Sequence, residues 1–246
     1  MLNYLILILF GLAPSIIWLL FFLRKDSHPE SNSMVLKIFF FGMLAAIPAA
    51  LLELGFYDII KNLPLPSYLI HFLYVFVGIA FIEEIFKYLV VKKQVLRDPE
   101  CDEPVDIMLY MIIAALGFAA LENVLVFLPL NNGFQLLETA IVGMFRFVGA
   151  TFLHALGSGL IGYYLALSFL QAKNRFKVVA KGIILATLLH GLYDFSIINI
   201  EGALKFVIPV IILTGLAIFI SLGFKKVKKL KSVCLPRRQA GKPKKI

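Results

Sequence analysis

Charge is scarce in this chain: only 16% of its 246 residues are Asp, Glu, Lys or Arg, against roughly 25% in an ordinary soluble domain. Cysteine is scarcer still. The two present, Cys101 and Cys234, form no CxxC and no Cys-His metal spacing, which excludes a disulfide framework and argues against thiol chemistry. Acids are few as well, 15 against 24 bases for a net charge of +9. What fills the space is apolar: 61% of residues are hydrophobic and the mean hydropathy is +0.92. That balance excludes a soluble enzyme with one buried core, and it excludes disorder. The surplus of bases then reads as membrane topology, with no nucleic-acid partner expected.

A bilayer core about 30 Å thick needs around 20 apolar residues of helix. Seven stretches qualify, at about 2–23, 34–56, 69–91, 105–130, 145–171, 177–199 and 203–223. The first lacks a basic leading region and runs directly into Arg24-Lys25, so we expect an uncleaved anchor rather than a signal peptide. Lys and Arg crowd alternate connections: 24–37, 92–97, 173–177 and the stretch after Phe224. The positive-inside rule therefore predicts an all-α polytopic bundle of seven transmembrane helices, N-terminus outside and C-terminus cytoplasmic. The expected organisation is one membrane domain over 1–224, with its motif-bearing core at 69–199, and a basic cytoplasmic tail over 225–246. That tail is expected against anionic lipid headgroups. Residues 134–171 are too long for one straight span, so Phe134–Met144 is expected to run along the outer interface, with a break near Gly143 or Gly149.

Function in such a bundle is betrayed by the groups that cost most to bury. Spans three to six contain Glu83, Glu84, Lys87, Glu122, Arg146 and Asp194, together with His154 and His190. Unpaired, the six charges represent an insertion cost on the order of 15 kcal/mol, so they must face one another or a wet cavity. Helical spacing permits it. Glu83 and Lys87 lie i,i+4, Glu84 and Lys87 i,i+3, and Phe118/Glu122, His154/Ser158 and His190/Asp194 each share a face at i,i+4. Carboxylates and imidazoles around a water are a general acid-base arrangement suited to hydrolysis. Glu53 and His71 fall near outer span ends and receive no chemistry.

The motifs Glu83-Glu84-Ile85-Phe86-Lys87 (EExxK), Phe118 to Glu122 (FxxxE), His154 to Ser158 (HxxxS) and His190 to Asp194 (HxxxD) are weak singly. In this order, one per span, they resemble the PrsW family of intramembrane proteases, relatives of the CAAX prenyl-protease and abortive-infection superfamily. The resemblance implies a multi-pass enzyme of the bacterial cell membrane that cuts membrane-anchored proteins, typically anti-sigma factors, with a glutamate-activated water. It further implies Glu83, Glu84, Glu122, His154 and His190 as the catalytic set, Glu83 or Glu84 being the base. His154 would hold the water or the oxyanion with Ser158 beside it, and Asp194 would fix the tautomer of His190. Lys87, Phe118 and Arg146 complete the supporting set, with Arg146 expected to neutralise Glu122 or Glu84. No cofactor is expected. A zinc ion on His154, His190 and one Glu is the alternative, disfavoured because the HExxH spacing is absent. The other functional classes open at this point are a proton-coupled transporter and a non-catalytic scaffold using the same polar cluster.

Overall fold

The computed structural model describes residues 2–25, 30–98, 100–101, 103–128, 136–170 and 172–230. Residues 231–246 of the basic tail, including Cys234, lie outside them. So do Asp102, residues 129–130 and 171 at two predicted span ends, and the first two residues of the 134–144 segment.

The described residues form α1 (Leu2–Leu23), α2 (Asn32–Ile60), α3 (Ser67–Leu73), α4 (Ile82–Gln94), α5 (Pro104–Phe127), α6 (Leu136–Phe145), α7 (Thr151–Ser168), α8 (Arg175–Asn199) and α9 (Leu204–Val227). A π-helical segment, Tyr74–Phe81, joins α3 to α4, and a second, Arg146–Ala150, joins α6 to α7. Seven helical stretches are long and apolar enough to cross a membrane, matching the seven predicted spans. The C-terminal ends of α1 and α9 meet, where Lys228 donates to the main-chain carbonyl of Lys25. An odd number of crossings between them requires that pairing.

α5 is the axis of the bundle, packed on by α1, α2 and α7. Between Asp106 in its first turn and Glu122 it carries no charged residue, and 94% of its membrane-length window is buried. Its start is fixed by Pro104 at the first helical position and by a reciprocal cap, in which the Glu103 amide donates to Asp106 Oδ2 at 2.6 Å. Where α2 crosses it, Gly42 and Gly117 let the backbones touch. A Cβ on Gly117 would lie 2.0 Å from the Phe39 carbonyl oxygen, and one on Gly42 2.1 Å from that of Ala114, so only glycine fits either place. The outer helices show the opposite composition, with Leu5, Leu9, Leu51, Leu54, Val210 and Ile211 exposed, as a lipid-facing surface requires.

The expected break near Gly143 or Gly149 does not occur. Helical dihedrals continue from Phe145 through Ala150 into Thr151, and Thr139–Ser168 is a single membrane-length helix. The π segment absorbs the irregularity that was expected to be a bend. Its walls hold it in place: Trp18 Nε1 donates to the Phe147 carbonyl at 2.9 Å, while the Trp18 ring stacks on Phe152 with centroids 4.1 Å apart.

Candidate active site

Each π segment ends just before a motif, the first before Glu83-Glu84 and the second before His154. Such segments often sit at functional sites, because the added residue re-aims the side chains that follow. The four motif helices bring their polar stripes together around Lys87, which is fully buried. An ammonium has three N–H donors and no acceptor, and here all three are used: on Glu83 Oε2 at 3.0 Å, Glu84 Oε1 at 2.9 Å and His154 Nδ1 at 2.7 Å. Since Lys87 can only donate, His154 Nδ1 must accept, and the His154 proton sits on Nε2. The Phe118 ring lies 4.6 Å beneath Nζ, a cation–π contact that gives the phenylalanine of the second motif its purpose.

The adjacent glutamates are not equivalent. Glu84 Oε1 meets both Lys87 and His190 Nδ1, each at 2.9 Å, and Oε2 accepts from Ser158 at 3.2 Å. Both of its oxygens are thereby engaged. Glu83 meets only Lys87 within hydrogen-bond range, with His154 Nδ1 at 3.6 Å and His190 Nε2 at 3.9 Å from the same Oε2. Ser158 turns to Glu84 rather than to a place beside His154. Asp194 lies 3.2 Å from His190 Nε2, so an acid stands at each nitrogen of that ring. Arg146 pairs with Glu122 at 2.7 Å and also bonds Asn123, which leaves Glu84 to Lys87. His154 Nε2 approaches Glu122 Oε2 to 2.8 Å, off the hydrogen-bond line, and that oxygen accepts no well-formed bond.

Exposure grades across the cluster. The Glu84 and Lys87 side chains are 1% and 0% exposed and His154 and His190 3% and 4%, whereas Arg146, Asp194 and Glu122 reach 17%, 23% and 29%. On helices of both directions the exposed members lie further from the end that carries Lys25, Lys92 and Lys228. Glu122 follows Phe118 on α5 and Asp194 follows His190 on α8, while Arg146 precedes His154 on the α6–α7 helix. The site opens away from the basic end.

One residue escaped the sequence reading, and one set aside there borders the site. Asn123, buried, donates to Thr151 Oγ1 at 3.0 Å and to the Gly11 carbonyl at 3.3 Å, tying α5 to α7 and α1. An amide inside an apolar span was the available signal for it. Glu53 on α2 lies within electrostatic reach of Glu83, Glu122, Lys87 and His190, so a fifth acid borders the cluster from a helix without a motif. His71, by contrast, is exposed and only meets Asn199 at 3.1 Å.

The family described as PrsW family intramembrane metalloprotease matches residues 30–222. The chain belongs to that family. Proteins named Protease PrsW from Geobacillus kaustophilus (strain HTA426) and Bacillus subtilis (strain 168) are 33% and 30% identical to it over 194 and 226 residues. The first alignment covers 78% of this chain and 79% of the relative, the second 91% and 94%. A Protease PrsW from Clostridioides difficile (strain 630) is 28% identical over 194 residues, 77% of this chain and 78% of the relative. No solved structure gives a significant match. The chain is thus a multi-pass membrane protein and a protease, which removes the transporter and scaffold readings from the front rank.

The PrsW family's description implies a metal ion. Glu83, His154 and His190 each bring a donor atom within 4.8 Å of the others, and one acid with two imidazoles is a known zinc donor set. Lys87 contests the position. An ion bonded at about 2.1 Å to both Glu83 Oε2 and His154 Nδ1, which are 3.6 Å apart, would lie within about 3.3 Å of Lys87 Nζ. A divalent ion and an ammonium at that separation repel by about 10 kcal/mol at an effective dielectric constant of about 20. Turned to Nε2 instead, His154 presents a nitrogen already against Glu122. The donors are right in type, and an ion on Glu83 Oε2 and His154 Nδ1 would require the Lys87 ammonium to move away.

Proposed function

We propose that this PrsW-family protease hydrolyses peptide bonds of membrane-anchored proteins with a water activated by Glu83, in a pocket open to the outer side of a bacterial plasma membrane. The asymmetry of the two glutamates carries the reading: Glu84 is engaged at both oxygens, while Glu83 keeps bonding capacity beside two imidazoles. Glu83 takes a proton from water as the water oxygen attacks the peptide carbonyl carbon. It then returns that proton to the amine as the carbon–nitrogen bond breaks, so its own charge is restored each cycle. His190 Nε2 lies between Asp194 and Glu83 and serves the oxyanion as donor. His154, fixed by Lys87 and facing Glu122, holds the water from the other side. Lys87 donates to Glu83 and holds it aimed. Glu84 serves as the buried partner of Lys87 and His190.

Substrates of the anti-sigma-factor kind suit this reading, since a single-span protein can deliver an extended segment to a pocket at that depth. The basic connections support an N-terminus outside and a C-terminus inside. The reading needs no metal. Incubating the purified enzyme with a membrane-permeant chelator is predicted to leave cleavage of a membrane-anchored reporter unchanged. Loss of cleavage with rescue by zinc would transfer Glu83, His154 and His190 to metal ligation.

A further inference from the structure

Behind the catalytic helix, at the basic end of the bundle, α1, α9 and α7 together line a cavity of about 460 Å³. Phe22, Phe152, Leu156, Ala217 and Ile220 supply apolar walls, and Lys25, Lys225 and Lys228 stand at its mouth. No acid lines it, and none of the three lysines forms an ion pair among the described residues. Lys228 reaches across the mouth to the Lys25 carbonyl, and the Lys25 ammonium lies over the Phe21 ring at 4.7 Å.

We propose that this groove is a binding site for one anionic diacyl phospholipid, its phosphate held by Lys25, Lys225 and Lys228 and one acyl chain laid over Phe152 and Leu156. Dimensions and charge both select that occupant. From Lys228 to Ala217 the groove follows α9 for roughly 16 Å, about half the ~30 Å hydrocarbon core, which is the depth of one leaflet. Three ammonium groups that meet no acid among the described residues, standing over an apolar slot, complement a negative headgroup above a hydrocarbon chain. The site also has a route to the chemistry. Phe152 stacks on Trp18, whose indole holds the Phe147 carbonyl of the π segment preceding His154, so a bound chain packs against the back of the catalytic helix. Lys225 and Lys228 open the basic tail, and the groove turns them from a general attraction to the membrane surface into one side of a defined pocket.

The test is native mass spectrometry of the full-length protein released from nanodiscs containing equal phosphatidylglycerol and phosphatidylcholine. The wild type is expected to retain one phosphatidylglycerol with a preference of about tenfold or more, from three lysines near one headgroup. Neutralising the mouth with K25Q, K225Q and K228Q together is expected to abolish that preference. Neutralising Lys92, Lys93 and Lys173 at the same end instead is expected to preserve it. Ala217→Phe, which fills the slot, is expected to lower retention of both lipids. Excess glycerol phosphate is expected to displace nothing, because the acyl chain anchors the ligand. A preference that survives the first triple variant, or falls equally in both, overturns the site. Full displacement by glycerol phosphate, or unchanged retention in a folded Ala217→Phe protein, overturns the acyl placement.

Discussion

The polar cluster has two layers that differ in how completely they are satisfied. Around Lys87, Glu84 and Ser158 every donor of the ammonium and both oxygens of Glu84 have a partner, and water is excluded. Around Glu122, Arg146 and Asp194 the side chains are part-exposed, and one Glu122 oxygen lacks a proper partner. Glu83 and the outward nitrogens of the histidines lie on the boundary. A saturated layer fixes geometry and an open one admits water and substrate, so an acid at their junction is both held and available.

Breaking the saturated layer should cost most. Lys87→Met strands two buried carboxylates, and losing one partner of a buried ionic network typically costs about 3–5 kcal/mol. The variant is expected to show a strongly lowered midpoint of thermal unfolding in detergent together with no cleavage. A Tm within a degree or two of wild type would mean that the ammonium does not organise the site. In the open layer, Arg146→Gln should be milder. Glu122 can turn to water there, and a part-exposed pair contributes about 1 kcal/mol or less. Cleavage is expected to fall while the unfolding midpoint stays close to wild type. A stability loss equal to that of Lys87→Met would erase the difference between the layers. The smallest effect is expected at Trp18→Phe, which keeps the ring stack and removes one hydrogen bond to the Phe147 carbonyl, worth about 1 kcal/mol. Faster hydrogen exchange confined to the Arg146–Ala150 segment would check it. Global destabilisation would show that the π segment needs more from Trp18 than this bond.

The spans were legible because hydrocarbon imposes length and composition directly, whereas the central place of α5 emerges only from packing. The motif residues were legible because each pair lies i,i+4 on one helix and because charge in a span demands a partner. Sequence spacing could not separate Glu83 from Glu84. That difference arises from Ser158 and His190 on α7 and α8, more than seventy residues away. Glu53 was set aside for the same reason, since α2 carries no motif and only packing brings it near the cluster. Residues 134–171 are expected from sequence to bend or lie flat because a regular α-helix of that length is the reference. A π segment braced by Trp18 from α1 is a tertiary solution that local pattern does not reveal.

The central claim is the division of labour between the adjacent glutamates, and one paired measurement addresses it: Glu83→Gln and Glu84→Gln, each assayed for cleavage of a membrane-anchored reporter and for thermal unfolding. Glu83→Gln is predicted to lose cleavage by about 10²–10⁴-fold, the range of general-base catalysis, with an unfolding midpoint close to wild type. Glu84→Gln is predicted to lose both cleavage and stability, because its amide cannot serve Lys87, His190 and Ser158 at once. A Glu83→Gln enzyme that still cleaves at near wild-type rate, or that unfolds as readily as Glu84→Gln, would contradict the account.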